Sequence, residues 1–356
     1  MTIYGKYSLG SGSILNDTGL LYDAIDTPEV IESYTESIKR DLKTAGISLT
    51  DLKQFRVLDV GTGRQAIVFN RLGCKFVKHY DLSRYNVDRL QAYIDKNGLH
   101  DSMSSECVDI VYYPFPRGYF DFIYLNGVVQ HLENVETGLV NAIKALKQRG
   151  YLWVYFYRSG TFYQFVIYLI RDLLKLLVPN DQNIITNSLL LYSENMRPNY
   201  FTSNMMDDFL VSYIHLFTAQ DYISFFNALG LRVVSESRVD PIEASVDHYN
   251  LHHSGVLTVK KIAKWNVYPL NMLTPNKSIN QLDLNLYSQP EIIDTIKEYN
   301  RLKEVIISNI ATDTAMMICF RLYYELHNNL KHLGRGKHEK LKEIIVNISR
   351  FIQEEY

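Results

Sequence analysis

The chain has 356 residues, 47% of them hydrophobic, with a formal net charge of −2 at neutral pH. That much apolar material excludes a disordered protein and is enough for a large buried core plus an accessory region. A near-neutral balance with a pI of about 6.6 carries no basic footprint of a nucleic-acid binder.

Cysteine usage narrows the class further. Cys74, Cys107 and Cys319 lie far apart without a CxxC pair, which excludes a disulfide framework and a thiolate zinc site and agrees with a reducing cytoplasm. The opening run MTIYGKYSLGSGSILND has no basic segment leading into an apolar one, so no secretory leader is expected. In chain order, Thr27-Pro28-Glu29 marks a helix start, and Tyr34, Ile38 and Leu42 recur every four residues along one face. Residues 1–55 are therefore expected to form an N-terminal helical cap.

The segment from Arg56 to Ser83 reads as strand, glycine turn, helix and second strand. Gly61 and Gly63 permit a tight turn with close backbone approach to a ligand. Asp81 follows Gly61 by about 20 residues, the spacing at which a carboxylate meets the two hydroxyls of a ribose. Gly61-Thr62-Gly63-Arg64-Gln65-Ala66 also satisfies the dinucleotide pattern, which keeps a nicotinamide-linked oxidoreductase as an alternative. Asp59, two residues before the first glycine, would repel a pyrophosphate and suit the amino group of an amino-acid moiety. Further strands are expected at 75–80, just before Asp109, at Phe120–Leu125 and at 151–156, with helices through Val87, Leu90 and Ile94 and through Leu139, Ile143 and Leu146. Such alternation builds a parallel sheet whose ligands bind at the C-terminal strand ends. At those ends Asp109 could accept from an adenine amino group while Ile110 packs on the ring. Asn126 and Gly127 form a small turn, followed by the polar pair Gln130-His131 facing the same crevice.

Together these segments resemble the class I S-adenosylmethionine-dependent methyltransferases over roughly residues 57–262. VLDVGTG is similar to that family's first motif, HYDLS to its ribose motif, CVDI to its adenine motif, FDFIYLNGVVQHL to its fourth and ALKQRGYLWVYFY to its fifth. The resemblance implies a Rossmann-like seven-stranded α/β methyltransferase sheet and S-adenosyl-L-methionine as cofactor. It places Asp59 and Gly61 along the methionine part, Asp81 at the ribose, Asp109 and Ile110 at the adenine and Asn126 at the strand-four position lining the cofactor, with Thr62, Gly63, Leu82 and Gly127 as further cofactor-binding residues. Gln65 stands where the family often has a third glycine, so the turn is expected to be stiffer here or to contact the cofactor through a side chain.

Organised this way, the chain divides into the cap, a cofactor-binding core at 56–158, a helical lid and substrate-binding insertion at 159–216, a completion of the sheet at 217–265, and an appended C-terminal helical region at 285–356. Residues 161–178 are long and apolar, but Arg171, Asp172 and Lys175 fall within them, against a membrane span. Thr218-Ala-Gln-Asp221 is a capping signal ahead of an apolar face at Tyr222, Phe225, Phe226 and Leu229, and 231–234 and 256–262 read as closing strands. The apolar stripes at 290–310, 314–333 and 338–355 need a cover: either their own domain or a partner, a homodimer through these helices included.

Methyl transfer from a sulfonium depends mainly on positioning. A base is needed only for a hydroxyl or protonated amine, and histidine suits that role. His131, after the cofactor-lining turn, and His215, where the lid returns to the core, are the candidates. Tyr157, Arg158, Tyr163 and Arg171 cluster at the exit of the fifth strand as candidate holders of an acidic or aromatic acceptor. His248, His252 and His253 have no neighbouring cysteine, and no metal is expected. The reading is a cytoplasmic methyltransferase acting on an oxygen or nitrogen of a small molecule or of a sugar or lipid head group. A second alternative is a methyltransferase-like scaffold whose appended helices bind a partner.

Overall fold

The computed structural model describes residues 28–158, 213–237, 254–263 and 272–273. The insertion as far as residue 212, Tyr163, Arg171, the histidines at 248, 252 and 253, and the C-terminal extension lie outside the described residues. Within them, a helix α1 (Pro28–Thr44) and a short α2 (Leu49–Leu52) lead into β1 (Arg56–Val60). Then follow α3 (Arg64–Arg71), β2 (Phe76–Asp81), α4 (Arg84–Asn97), β3 (Met103–Cys107) and β4 (Phe120–Leu125). A single 3-10 turn (Val129–His131) and α5 (Val135–Ala145) precede β5 (Leu146–Tyr157). The sheet is completed after α6 (Ala219–Ala228) by β6 (Leu231–Ser237) and β7 (Ser254–Lys261).

The seven strands are ordered β3-β2-β1-β4-β5-β7-β6. β1 pairs in parallel with β2 and β4, β2 with β3, and β4 with β5. β7 runs antiparallel between β5 and β6. A dinucleotide-binding sheet of the 3-2-1-4-5-6 kind has no such inserted antiparallel strand, so the topology separates the two ligand readings that the glycine turn leaves open.

Both faces of the sheet are covered, which is why its strands carry apolar side chains on both sides. Val57 packs with Ile38, Leu42, Phe69, Leu90 and Ile94 on the face holding α1, α3 and α4. Leu58 and Val60 pack with Leu139, Ile143, Phe225 and Phe226 on the face holding α5 and α6. The Thr218 capping box forms as expected: its hydroxyl accepts from Asp221 N at 3.1 Å, and the Asp221 carboxylate accepts from Thr218 N at 2.8 Å.

Two boundaries differ from the sequence reading. Leu146, expected in the helix, begins β5 opposite Phe120, and the ladder resumes only at Phe122 opposite Tyr151. The intervening residues bulge out with Arg149 at φ 66°, while Lys147 Nζ donates to Asp121 at 2.8 Å. The third strand ends at Cys107, so Asp109 sits in the turn two residues beyond it.

Candidate cofactor and acceptor site

The parallel strands end together along one edge of the sheet, and the expected site residues that are described gather there. β1 delivers its chain into a turn with Gly61 at φ 136° and Gly63 at φ 84°, the latter capping α3. Such φ values strain any residue with a Cβ, and a Cβ on Gly63 would stand 3.2 Å from Leu90 and 3.4 Å from His79 Nε2. Gly63→Ala is therefore expected to cost about 1–2 kcal/mol of stability. Equilibrium denaturation measures this, and an unchanged midpoint would refute it.

Asp59 does not open onto the crevice as a free carboxylate. It is fully buried, with Oδ2 accepting from Ala66 N at 3.0 Å and Oδ1 left without a partner. Burial, with a lesser contribution from the Asp81 carboxylate, pushes its pKa up to about 8. An unpartnered buried acceptor beside the two glycines of the turn fits a ligand that brings its own cationic amino group.

Asp81 closes β2 and is also buried. Its Oδ1 accepts from Ser83 N at 2.6 Å and its Oδ2 from Asn86 Nδ2 at 3.2 Å. These bonds fix the carboxylate, while each oxygen keeps a further lone pair for a ribose hydroxyl. Burial pushes Asp81 up to about 7. Leu82, half-buried beside it, follows directly in the chain. Asp109 is held by its own turn: Oδ1 accepts from Val111 N at 2.8 Å. Ile110, expected against an adenine ring, is buried in the core cluster, and its carbonyl accepts from Asn141 Nδ2 at 3.2 Å.

Asn126 and Gly127 follow β4, and the Asn126 carbonyl lies 3.5 Å from where a Cβ on Gly61 would be, so the two turns touch. Next, the 3-10 turn is stitched to residues 213–217: His215 N donates to the Gln130 carbonyl at 2.8 Å, and His131 Nδ1 lies 3.0 Å from the Tyr213 carbonyl. The His131 ring meets Tyr157 edge-on at 5.6 Å, and buried Arg158 bridges to Phe217. Both candidate bases and both described acceptor residues thus converge at one joint. Gln130 departs from expectation, because its side chain is fully buried rather than open to the crevice, with neither amide atom partnered.

Sequence reasoning missed His79, Asn86 and Arg89. His79 Nε2 lies 2.6 Å from the Gly61 carbonyl and Nδ1 lies 2.8 Å from Ser105 Oγ, and the Arg89 guanidinium donates to the Thr62 carbonyl. The available signal was a histidine inside a strand otherwise destined for burial. Among the described residues no cluster of ligating side chains able to hold a metal is found, and no helix is long and apolar enough to cross a membrane.

A parallel sheet with an inserted antiparallel seventh strand, bearing a glycine turn, a ribose-spaced carboxylate and a strand-four turn at one edge, defines the class I S-adenosylmethionine-dependent methyltransferases. Residues 58–154 match the family model described as a methyltransferase domain. The chain thus carries the domain of a class I methyltransferase enzyme, with S-adenosylmethionine as methyl donor. Solved structures similar to it include an S-adenosylmethionine-dependent methyltransferase from Aquifex aeolicus, 13% identical, covering 72% of this chain and 100% of that one with a TM-score of 0.41. Another is the 1,6-didemethyltoxoflavin-N1-methyltransferase of Burkholderia thailandensis, bound to 1,6-didemethyltoxoflavin and S-adenosylhomocysteine, 14% identical, covering 72% and 93% with a TM-score of 0.37. A Mesorhizobium loti S-adenosylmethionine-dependent methyltransferase is 13% identical over 59% of this chain and 92% of its own, with a TM-score of 0.39. No curated protein matches the chain by sequence.

Proposed function

We propose that the protein transfers a methyl group to an oxygen or nitrogen of a small molecule, or of a sugar or lipid head group, in the cytoplasm. The glycine turn, Asp81 and the Asp109-Ile110 turn hold the cofactor, and Tyr157 and Arg158 flank the acceptor. S-adenosylmethionine supplies a methyl group on a sulfonium leaving group. The acceptor's lone pair forms the new bond to that methyl carbon while the carbon–sulfur pair goes to sulfur, and the acceptor's proton passes to a histidine.

The observation that carries this reading is His215. Its Nε2 is buried without a partner, and burial lowers the ring's pKa although the nearby Leu132 and Glu133 carbonyls oppose the shift. Those carbonyls favour a proton on the nitrogen facing them, leaving Nε2 with its lone pair. A neutral imidazole with an open lone pair is a base suited to a hydroxyl or amine acceptor. His131, tied to the Tyr213 carbonyl, shapes the same joint.

Incubating the protein with methyl-labelled S-adenosylmethionine and fractionated small-molecule extracts, with products identified by mass spectrometry, tests the acceptor class. O- or N-methyl products support it, whereas methyl groups found only on carbon, or no turnover, defeat it. His215→Asn is expected to lower kcat by about 100-fold, within the range for a lost general base, and to abolish the fall in rate on the acid side of the pH profile. A profile that keeps this acid limb would remove His215 from the role.

A further inference from the structure

A buried histidine stands against the backbone of the glycine turn. His79 stands on β2 and is fully buried. Its Nε2 is 2.6 Å from the Gly61 carbonyl and its Nδ1 is 2.8 Å from the Ser105 hydroxyl on β3. A carbonyl can only accept, so the shared proton belongs to Nε2, and Nδ1 accepts from Ser105. Burial lowers the ring's pKa to about 4, so this neutral tautomer persists at neutral pH. The next carbonyl along, that of Thr62, is held from behind by the Arg89 guanidinium of α4.

In a trans peptide the C=O and N–H point in opposite directions. Tethering the Gly61 carbonyl toward β2 and the Thr62 carbonyl toward α4 turns the N–H groups of Thr62 and Gly63 the other way. Among the described residues neither N–H donates to a backbone carbonyl of another turn, loop or cap. Gly63 leaves room for this arrangement, since a Cβ there would crowd the same His79 nitrogen.

We propose that His79, its tautomer set by Ser105, is a positioning residue that orients the Gly61–Thr62 peptide so that the turn presents N–H donors to the cofactor. This rests on the reading that the glycine turn is the cofactor site. It makes cofactor affinity depend on a hydrogen bond made on the far side of the loop by a side chain that never touches the ligand.

The test is calorimetric titration of the full-length protein with S-adenosylhomocysteine. His79→Leu removes the donor and is expected to raise Kd about tenfold, the factor for one lost hydrogen bond of ordinary strength. His79→Gln places an amide N–H near the position of Nε2 and is expected to restore affinity to within about threefold of wild type. Ser105→Ala is expected to weaken binding by a smaller factor. In parallel, side-chain 15N spectra of His79 should show a proton on Nε2 in the wild type and a mixed tautomer in Ser105→Ala. A merely structural residue would lower the melting temperature of His79→Leu without changing the Kd of the folded protein, and that result overturns the proposal. So does a glutamine variant as weak as the leucine variant. If His79→Leu does not fold, the Ser105→Ala titration and the 15N spectrum decide, and a proton found on Nδ1 rejects the role. Wild-type protein that fails to bind S-adenosylhomocysteine overturns the cofactor-site reading beneath it as well, whereas wild-type binding with unaffected variants overturns the His79 role alone.

Discussion

Asp81→Ala is expected to fold and to bind S-adenosylhomocysteine about 10- to 100-fold more weakly than the wild type. The affinity loss follows from removing the acceptor proposed for the ribose hydroxyls, where hydrogen bonds to a charged group are worth about 1.5–3 kcal/mol in total effect. Folding survives for a separate reason. The buried Asp81 carboxylate has its pKa raised to about 7, chiefly by desolvation, so keeping it ionised costs the native state free energy that alanine does not. Against that gain stand the lost bonds to Ser83 N and Asn86 Nδ2, which help start α4. The two roughly offset, and the melting temperature should move little while the titration changes greatly. A variant that binds with unaltered affinity would place the ribose elsewhere.

The second large effect concerns pH and centres on Asp59. Its folded pKa of about 8 lies far above the carboxylate reference of 3.8. A group whose folded pKa is raised holds its proton more tightly in the native state. Its stabilising contribution is therefore fully present below pH 3.8 and is lost as pH rises through about 8. Between those values the native state carries one more proton at this site than the unfolded chain, and stability falls by about 1.4 kcal/mol per pH unit for each such proton. Asp81, raised to about 7, adds to the slope in the lower part of the same window, where His79, lowered to about 4, opposes it. The protein without cofactor is thus expected to lose denaturation midpoint steadily from about pH 5 to pH 8. Asp59→Asn keeps an oxygen for Ala66 N, cannot ionise, and should flatten that slope by about the contribution of one proton. If the variant and wild type show parallel pH dependence, Asp59 does not hold the proton.

Cofactor binding should reverse the trend. A cationic amino group beside the unpartnered Oδ1 favours the ionised carboxylate, so proton release accompanies binding and affinity rises with pH toward 8. Calorimetry in buffers of differing ionisation enthalpy reads that release directly. The same linkage sharpens the contrast between the two carboxylates. In the proposed site Asp59 faces the charged end of the ligand and Asp81 its neutral hydroxyls, so the Asp59 variant is expected to alter the pH dependence of affinity and the Asp81 variant to lower affinity across the range.

Much of the site was legible because turn chemistry and strand spacing are local. Gly61 and Gly63 announced positive φ, Asp81 stood at ribose spacing, and Thr218 with Asp221 announced a helix start. Helix-to-strand boundaries were read less well where tertiary pairing intervened. Leu146 continues the apolar period of α5, yet its pairing with Phe120 across the sheet takes it out of the helix. Asp109, expected at the strand's end, sits two residues past it in a turn that its own carboxylate holds, with Ile110 buried beside it.

From the order of its residues alone, the chain determined an alternating α/β sheet, the glycine turn at its edge and the carboxylates along it, because backbone freedom, side-chain period and short-range spacing act within a few turns of chain. Only the tertiary structure decided the antiparallel placement of β7, the meeting of His131 with the Tyr213–Phe217 segment, and the ties from His79 and Arg89 behind the glycine turn. These depend on contacts between residues far apart in sequence. They depend also on burial, which no local pattern encodes and which raises the pKa of Asp59 and Asp81.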